Sequence, residues 1–276
     1  MRGTSSGTGA VVQTSKRWLG RYVGGHMGNI AVVAAFVGLL AAGCGTTTTG
    51  TAESRQPESS PSTHSPPTSM RLVGLGHAAI AVPDDWATNA MRCGTPTRDT
   101  VVIDVAIVPA CGAPRPKGVE SVEVTQGKPR FDFTADETFT VDGLRAQRQA
   151  TTCGADAFGD SHVCAGVVYI PSLRVSFRAE SSTSAEEVGR ILRRLRIVPD
   201  RVAVPGYQTV AATHQERSGD KYVNVLREAG LKAKVRTRRR PSVLAGFVLG
   251  AAPQPGTMLR PGTAVNVTVG PERNPR

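Results

Sequence analysis

Short runs in which apolar and polar residues alternate fill residues 71–199, and turn-forming residues separate one run from the next. Runs of this kind predict β-strands, here at residues 77–82, 100–108, 122–124, 131–133, 138–141, 167–170 and 173–177. After Ser184 the period becomes helical, with one apolar stripe made of Val188, Ile191, Leu192 and Leu195. Ser184 and Glu187 have the spacing of a capping box. We therefore expect an α+β domain at residues 71–199, an antiparallel sheet covered by a terminal helix.

Residues 200–276 carry a second arrangement, a helix followed by strands. One helical face holds Tyr222, Val223, Leu226 and Ala229, and Gly230 is expected to end the helix. A basic alternating strand, LKAKVRTR, begins at residue 231, and another strand is expected near residues 247–251. Turns at residues 253–256 and 261–262 lead to a last strand, in which Val265, Val267 and Val269 alternate inward. This pattern predicts a small module with one helix on a three-stranded sheet.

One continuous apolar run, residues 30–42, lies near the start of the chain and stops just before Cys44. Lys16, Arg17 and Arg21 precede it, and no acidic residue occurs before Glu53. The run is shorter than the roughly 20 residues that a membrane-spanning helix needs, which disfavours a permanent transmembrane anchor. The arrangement resembles a bacterial lipoprotein signal. The resemblance implies that residues 1–43 are a signal peptide and that the Cys44 thiol carries lipid on the outer face of the cell membrane.

The segment from residue 44 to residue 70 consists almost entirely of Thr, Ser, Pro and Gly. Such a segment has too few large apolar residues to offset the entropy lost on ordering. We expect it to be a disordered tether that carries the folded part away from the membrane.

Positive charge is concentrated at the C-terminal end. The whole chain has a formal net charge of +11, and residues 200–276 hold thirteen Lys or Arg against five Asp or Glu. Arg236, Arg238, Arg239 and Arg240 are candidate ligand-binding residues, because guanidinium groups pair with carboxylates and phosphates. The alternative is that this run prevents an edge strand from pairing with other chains. A nucleic-acid partner is not expected of an exported protein.

Residues 200–276 resemble the PASTA domain, an extracellular module of bacterial penicillin-binding proteins and serine/threonine kinases. The matching positions are Val204, Pro205, Leu226, Ala229, Gly230, Leu231, Gly246, Val248, Pro253, Gly256 and Val265. Two departures are an extra stretch around residues 211–218 and the single copy, which favours weak single-site binding over avidity. The resemblance implies peptidoglycan or muropeptides as the ligand, or a role as a spacer.

Four cysteines remain once Cys44 is assigned to lipid, and all lie within residues 71–199. An exported compartment oxidises cysteines, and four of them allow three pairings. Spacing favours Cys93 with Cys111 and Cys153 with Cys164. The alternative is a metal site in which Asp160 and His162 join the two flanking cysteines, although their spacing matches no standard zinc motif.

Enzyme motifs are not a feature of residues 71–276, which contain no GxSxG, no HExxH and no phosphate-binding glycine loop. We therefore expect a non-enzymatic protein without a cofactor. The predicted function is binding of peptidoglycan, or another anionic wall polymer, by a lipid-anchored envelope protein whose 71–199 domain senses or binds a partner. The alternatives are an adaptor of wall-synthesis machinery that uses the PASTA-like module as a spacer, with an envelope protein as its partner, and a cryptic wall hydrolase.

Overall fold

The computed structural model describes residues 69–105, 111–129, 133–156, 158–159, 161–239 and 245–271. The predicted signal peptide, Cys44, Asp160 and Arg240 lie outside these residues, as does nearly all of the predicted tether. Among the described residues, no helix combines the length and the apolar character that crossing a bilayer requires. The described residues all belong to one compact unit, Thr63–Arg276.

Twelve strands and one helix are described before residue 200. They are β1 Met70–Leu75, β2 Ala78–Pro83, β3 Ala87–Thr88, β4 Met91–Arg92, β5 Thr95–Pro96, β6 Thr100–Ile103, β7 Glu120–Gln126, β8 Glu137–Val141, β9 Leu144–Ala155, β10 His162–Ile170, β11 Val175–Ser181, α1 Ala185–Leu192 and β12 Leu195–Ile197.

The remaining elements begin after residue 200. They are β13 Val202–Ala203, α2 Gln208–Thr213, a 3₁₀ turn Gln215–Arg217, α3 Ser218–Glu228, β14 Lys232–Thr237, β15 Val248–Ala252, β16 Met258–Leu259 and β17 Ala264–Val269. The described residues combine strands with a smaller share of helix, so the α+β class predicted from the sequence is confirmed.

A seven-stranded sheet with the order β3-β6-β7-β11-β10-β9-β8 dominates the first part of the chain. Its five strands from β7 to β8 are antiparallel neighbours, as expected. The pairs β3–β6 and β6–β7 are parallel, so the sheet is mixed. The connection from β6 to β7 is long enough for the chain to return and enter the sheet in the same direction. A second sheet with the order β1-β2-β12 completes this part.

Helix α1 packs on β9, β10 and β11 and begins at the predicted residue. The Ser184 hydroxyl accepts a hydrogen bond from the backbone N–H of Glu187 at 3.1 Å. The Glu187 carboxylate forms an ion pair with Arg190, so it does not make the second hydrogen bond of a capping box. The prediction that Leu195 continues the helical stripe is wrong: the helix ends at Leu192, and Leu195 starts β12 opposite Ile80. Leu195 is buried, 3% exposed, because β12 joins the smaller sheet.

Two predicted strands end elsewhere. The strand predicted at residues 100–108 stops at Ile103, because Asp104 adopts a left-handed φ of 50°, and residues 106–108 lie outside the described residues. The strand predicted at residues 173–177 begins at Val175, after a turn. Of the run predicted at residues 131–133, Phe133 is described and lies in no strand.

The sheet β14-β17-β15 and helix α3 form the second hydrophobic core. Tyr222 and Leu226 of α3 are fully buried against Val265 and Val267, which alternate inward as predicted. The helix ends at Glu228, and Gly230 stops it with a left-handed φ of 75°: the backbone N–H of Gly230 donates to the Arg227 carbonyl and that of Leu231 to the Leu226 carbonyl. Helix α2 lies ahead of α3, so the described residues of this part contain two α-helices rather than the expected one.

Backbone contacts join the residues on either side of position 200. The N–H of Gly74 donates to the Gly256 carbonyl at 2.9 Å, and the N–H of Ala203 donates to the Gly76 carbonyl at 2.8 Å. Ala79, Ala203 and Met258 share a small buried cluster. Strands β13 and β16 and the turn at Gly256 therefore join the C-terminal residues to the β1-β2-β12 sheet.

Candidate functional site

The cysteines form two disulfides, Cys93–Cys111 and Cys153–Cys164, the pairs that spacing favours. Cys153 and Cys164 lie directly opposite each other on the antiparallel strands β9 and β10. Disulfide sulfurs are not thiolate ligands, so this oxidised structure does not present the alternative metal site that the sequence suggested.

A row of basic side chains runs along β14, which is an edge strand because β17 is its one neighbour among the described strands. Ala233 and Val235 pair in register with the buried Val265 and Val267, so they lie on the core side of the strand, although Val235 itself is 53% exposed. Successive side chains of a strand point to opposite faces. Lys232, Lys234 and Arg236 therefore lie on the outer face.

Arg238 extends this row beyond the end of the strand. Its backbone N–H donates to the Val269 carbonyl at 2.9 Å, which continues the hydrogen-bond ladder by one step. We define the basic row as Lys232, Lys234, Arg236 and Arg238, all of which are exposed. At about 3.3 Å per residue, the row is about 20 Å long.

The predicted arginine cluster is thus divided by the strand. Arg236 and Arg238 belong to the basic row, Arg239 follows on the opposite side of the alternation and is exposed, and Arg240 lies outside the described residues. The cluster prediction omitted Lys232 and Lys234. The signal that identifies them is the alternation of basic residues in LKAKVRTR, read as one face of a strand.

The basic row is electrostatically uncompensated. None of the ion pairs among the described residues involves a member of the row. Asn266 and Thr268 of β17 pair in register with Lys234 and Arg236, so they add polar groups beside the cations on the same face. The face can accordingly hold an extended anion by several charge-assisted hydrogen bonds at once.

A cavity of about 520 Å³ lies on the seven-stranded sheet, and Arg115, Arg178 and Glu180 are among its lining residues. Arg115 is 4% exposed, and its guanidinium donates to Glu180, to the Ser121 hydroxyl at 3.1 Å and to the Val119 carbonyl at 3.3 Å. Burial lowers the pKa of Arg115, and the charge of Glu180 opposes that effect. Arg178, which is half-exposed, pairs with the other Glu180 oxygen at 2.5 Å. The cavity therefore presents one accessible guanidinium held in place by a buried ion pair.

A cavity of this size can hold a small molecule or a short peptide. Phe158, 59% exposed, is an apolar side chain at its margin. Of the lining residues the sequence had singled out Cys153, but it did not predict the cavity, because Gly94, Arg115 and Arg178 come from segments that are distant along the chain.

Comparison with known proteins adds no relative: no protein-family model and no curated protein matches this sequence.

Proposed function

We propose that this chain is a lipid-anchored, non-enzymatic protein of the cell envelope that binds peptidoglycan or another anionic wall polymer along the basic row. The observation that carries the proposal is a row of four exposed cations, three on one face of the edge strand β14 and Arg238 just beyond its end, none of which forms an ion pair with a described residue. A linear array of this kind suits an extended polymer with repeated negative charges better than a single carboxylate.

Two features of the sequence support a wall ligand. The lipoprotein-like signal before Cys44 and the Thr/Ser/Pro-rich tether would hold the basic row outside the membrane, at a distance from its surface. The resemblance of residues 200–276 to PASTA domains also points to peptidoglycan. In this proposal the 71–199 domain is the sensor or partner-binding part, and the cavity beside Arg178 is where a small ligand or peptide would be held.

The test is cosedimentation of residues 45–276, the exported chain without Cys44, with isolated peptidoglycan before and after removal of its phosphate polymers. The test variant carries Lys234→Gln, Arg236→Gln and Arg238→Gln. The matched control carries Arg98→Gln, Lys117→Gln and Lys128→Gln, which removes the same charge from exposed positions elsewhere. The complete exported chain is used because residues 200–276 are docked on the rest of the fold.

We expect the control to pellet like the parent chain and the test variant to lose most of its binding. For a flexible polyanion, each neutralised charge contributes about −0.7 to the slope of log K against log salt, so the row predicts a slope of about −3 and the test variant one of about −1. Equal pelleting of the two variants would refute the row as the site. Absence of any pelleting would favour the spacer and adaptor alternative.

The lipid anchor is tested separately. Cys44→Ser removes the thiol that would carry the acyl chains, and we expect the variant to leave the membrane fraction. Retention of the variant in membranes at the level of the parent chain would contradict the anchor while leaving the wall-binding test intact.

A further inference from the structure

His162 lies beside the Cys153–Cys164 disulfide on the same side of the sheet. Cys153 faces Cys164 across the strands β9 and β10, and His162 precedes Cys164 by two residues, which places both on one face of β10. The two sulfur atoms and an imidazole nitrogen all lie within 4.8 Å of one another. The trio lies where the strand pair opens to solvent, because Cys153 and His162 are exposed and Cys164 is buried.

The imidazole is free to act as a ligand. Within the part of the chain that the structure describes, no residue forms a hydrogen bond with the His162 ring. His77 offers a contrast, since its Nδ1 lies 2.6 Å from the Arg201 carbonyl. The exposed His162 ring therefore keeps its nitrogens for solvent or for an ion.

We propose that Cys153, His162 and Cys164 form a thiol-gated binding site for Zn²⁺, closed when the disulfide is present and open when a dithiol has reduced it. Two thiolates and one imidazole are ligands that Zn²⁺ prefers, and three protein ligands leave a fourth position for water. This inference is independent of wall binding by the basic row.

The distances suit a tetrahedral ion. With Zn–S near 2.3 Å and Zn–N near 2.0–2.1 Å, the ligand atoms of such a site are about 3.5–3.8 Å apart. Breaking the Sγ–Sγ bond lets the two sulfurs separate to this distance, and the imidazole, now within 4.8 Å, needs to approach by about 1 Å. Rotation of side chains suffices, and the strand register need not change.

The redox step balances with a dithiol as reductant. One thiolate of the dithiol attacks the exposed Cys153 sulfur, the Sγ–Sγ bond breaks, and Cys164 leaves as a thiolate that takes up a proton. The second thiol of the reductant then attacks the mixed disulfide, releasing Cys153 as a thiol and the reductant as its own disulfide. Zn²⁺ binding displaces the protons of the two thiols.

The experiment titrates Co²⁺, a spectroscopic substitute for Zn²⁺, into the exported chain in its oxidised form and after reduction. The variants are Cys153→Ser/Cys164→Ser and His162→Ala, and His214→Ala is the matched control because His214 is an exposed histidine far along the chain. The variant without Cys153 and Cys164 keeps Cys93 and Cys111, so it also reports any Co²⁺ that the other cysteines bind.

We expect the reduced parent chain and His214→Ala to bind one Co²⁺ with thiolate charge-transfer absorption, which Zn²⁺ abolishes by displacement. The oxidised chain and the double cysteine variant should show no such band. His162→Ala should weaken Co²⁺ binding by about tenfold or more. Removal of a residue that only supports a metal ligand already has an effect of that size, and removal of a ligand should have at least the same effect. An unchanged affinity in His162→Ala, or no thiolate band in the reduced parent chain, would overturn the proposal.

Thermal unfolding provides the second measurement. Zn²⁺ should raise the Tm of the reduced parent chain and leave the Tm of the oxidised chain and of the double cysteine variant unchanged, because ligands stabilise the state that binds them. A reduced chain that has lost its cooperative unfolding transition would also reject the site, since the site requires the folded β9–β10 pair.

Discussion

Gly256 is the position where a single methyl group should reveal how residues 200–276 are docked on the rest of the fold. Its φ of +85° is left-handed, its N–H donates to the Val204 carbonyl at 2.8 Å, and its carbonyl accepts from Gly74. A Cβ at this position would lie 2.1 Å from Cδ1 of Ile103 and 2.6 Å from Cγ1 of Val73. Both neighbours belong to the main hydrophobic core and are at most 1% exposed.

Gly256→Ala therefore has two costs. A non-glycine residue in the left-handed region costs about 1–2 kcal/mol. Forcing an extra methyl into a packed core costs about 1–3 kcal/mol more. We expect the free energy of unfolding to fall by about 2–5 kcal/mol in total.

The matched control is Gly262→Ala. Gly262 has a similar φ of +80°, but no atom lies within 4 Å of the position that its Cβ would take. This variant should lose the backbone part alone, about 1–2 kcal/mol. The difference between the two variants isolates the close approach of Gly256 to Ile103 and Val73.

The assay is equilibrium unfolding of residues 45–276 in urea with the disulfides intact, with the free energy taken from the midpoint at constant m. A double-mutant cycle sharpens it: Ile103→Val removes the Cδ1 atom that the new methyl would meet, so it should cost less in the Gly256→Ala chain than in the parent chain. Equal losses at Gly256 and Gly262, together with an additive cycle, would refute the docking contact.

Two further predictions concern the helix-bearing end of the large sheet. Glu120 is 8% exposed, and burial raises its pKa above the ordinary value of 4.5 despite hydrogen bonds from Thr183 and Ser181. The folded chain therefore binds the carboxyl proton of Glu120 more tightly than the unfolded chain does. The free energy of unfolding consequently falls as pH rises through the raised pKa. Glu120→Gln should flatten that decline in Tm measured from pH 4 to pH 8, and an unchanged pH profile would contradict it. Ser184→Ala removes the cap of α1 and should lower the free energy of unfolding in urea by about 1 kcal/mol. Ser184→Asn keeps a capping oxygen and should lower it little. Equal losses in the two variants would show that the cap contributes nothing.

Much of the local structure could be predicted from the sequence. Ser184 begins α1 and Gly230 ends α3 because capping depends on the residue at the helix end and its immediate neighbours. The inward positions of Val265 and Val267 follow from strict alternation along one strand. Spacing also favoured the two disulfides that the structure contains, although three pairings were open.

The candidate site could be predicted in part. The sequence located the excess positive charge and named Arg236 and Arg238, which belong to the basic row. The sequence prediction left out Lys232 and Lys234, because it was based on the number of charges in a short segment. That number does not show which face of a strand each side chain lies on. The cavity beside Arg178 was not predicted, because its lining combines strand residues with loop residues such as Gly94, Arg115 and Phe158, which only the tertiary fold brings together.

By itself, then, the sequence determined the α+β class, the start of α1, the end of α3 and the alternating faces of the strands, because propensity, capping and periodicity act over a few residues. Tertiary structure alone decided that β6 runs parallel to β7, that Leu195 enters a second sheet and that Gly256 lies against Ile103. The physical reason is that the direction of pairing and the approach of distant segments depend on contacts between residues far apart in the chain, which no local period encodes.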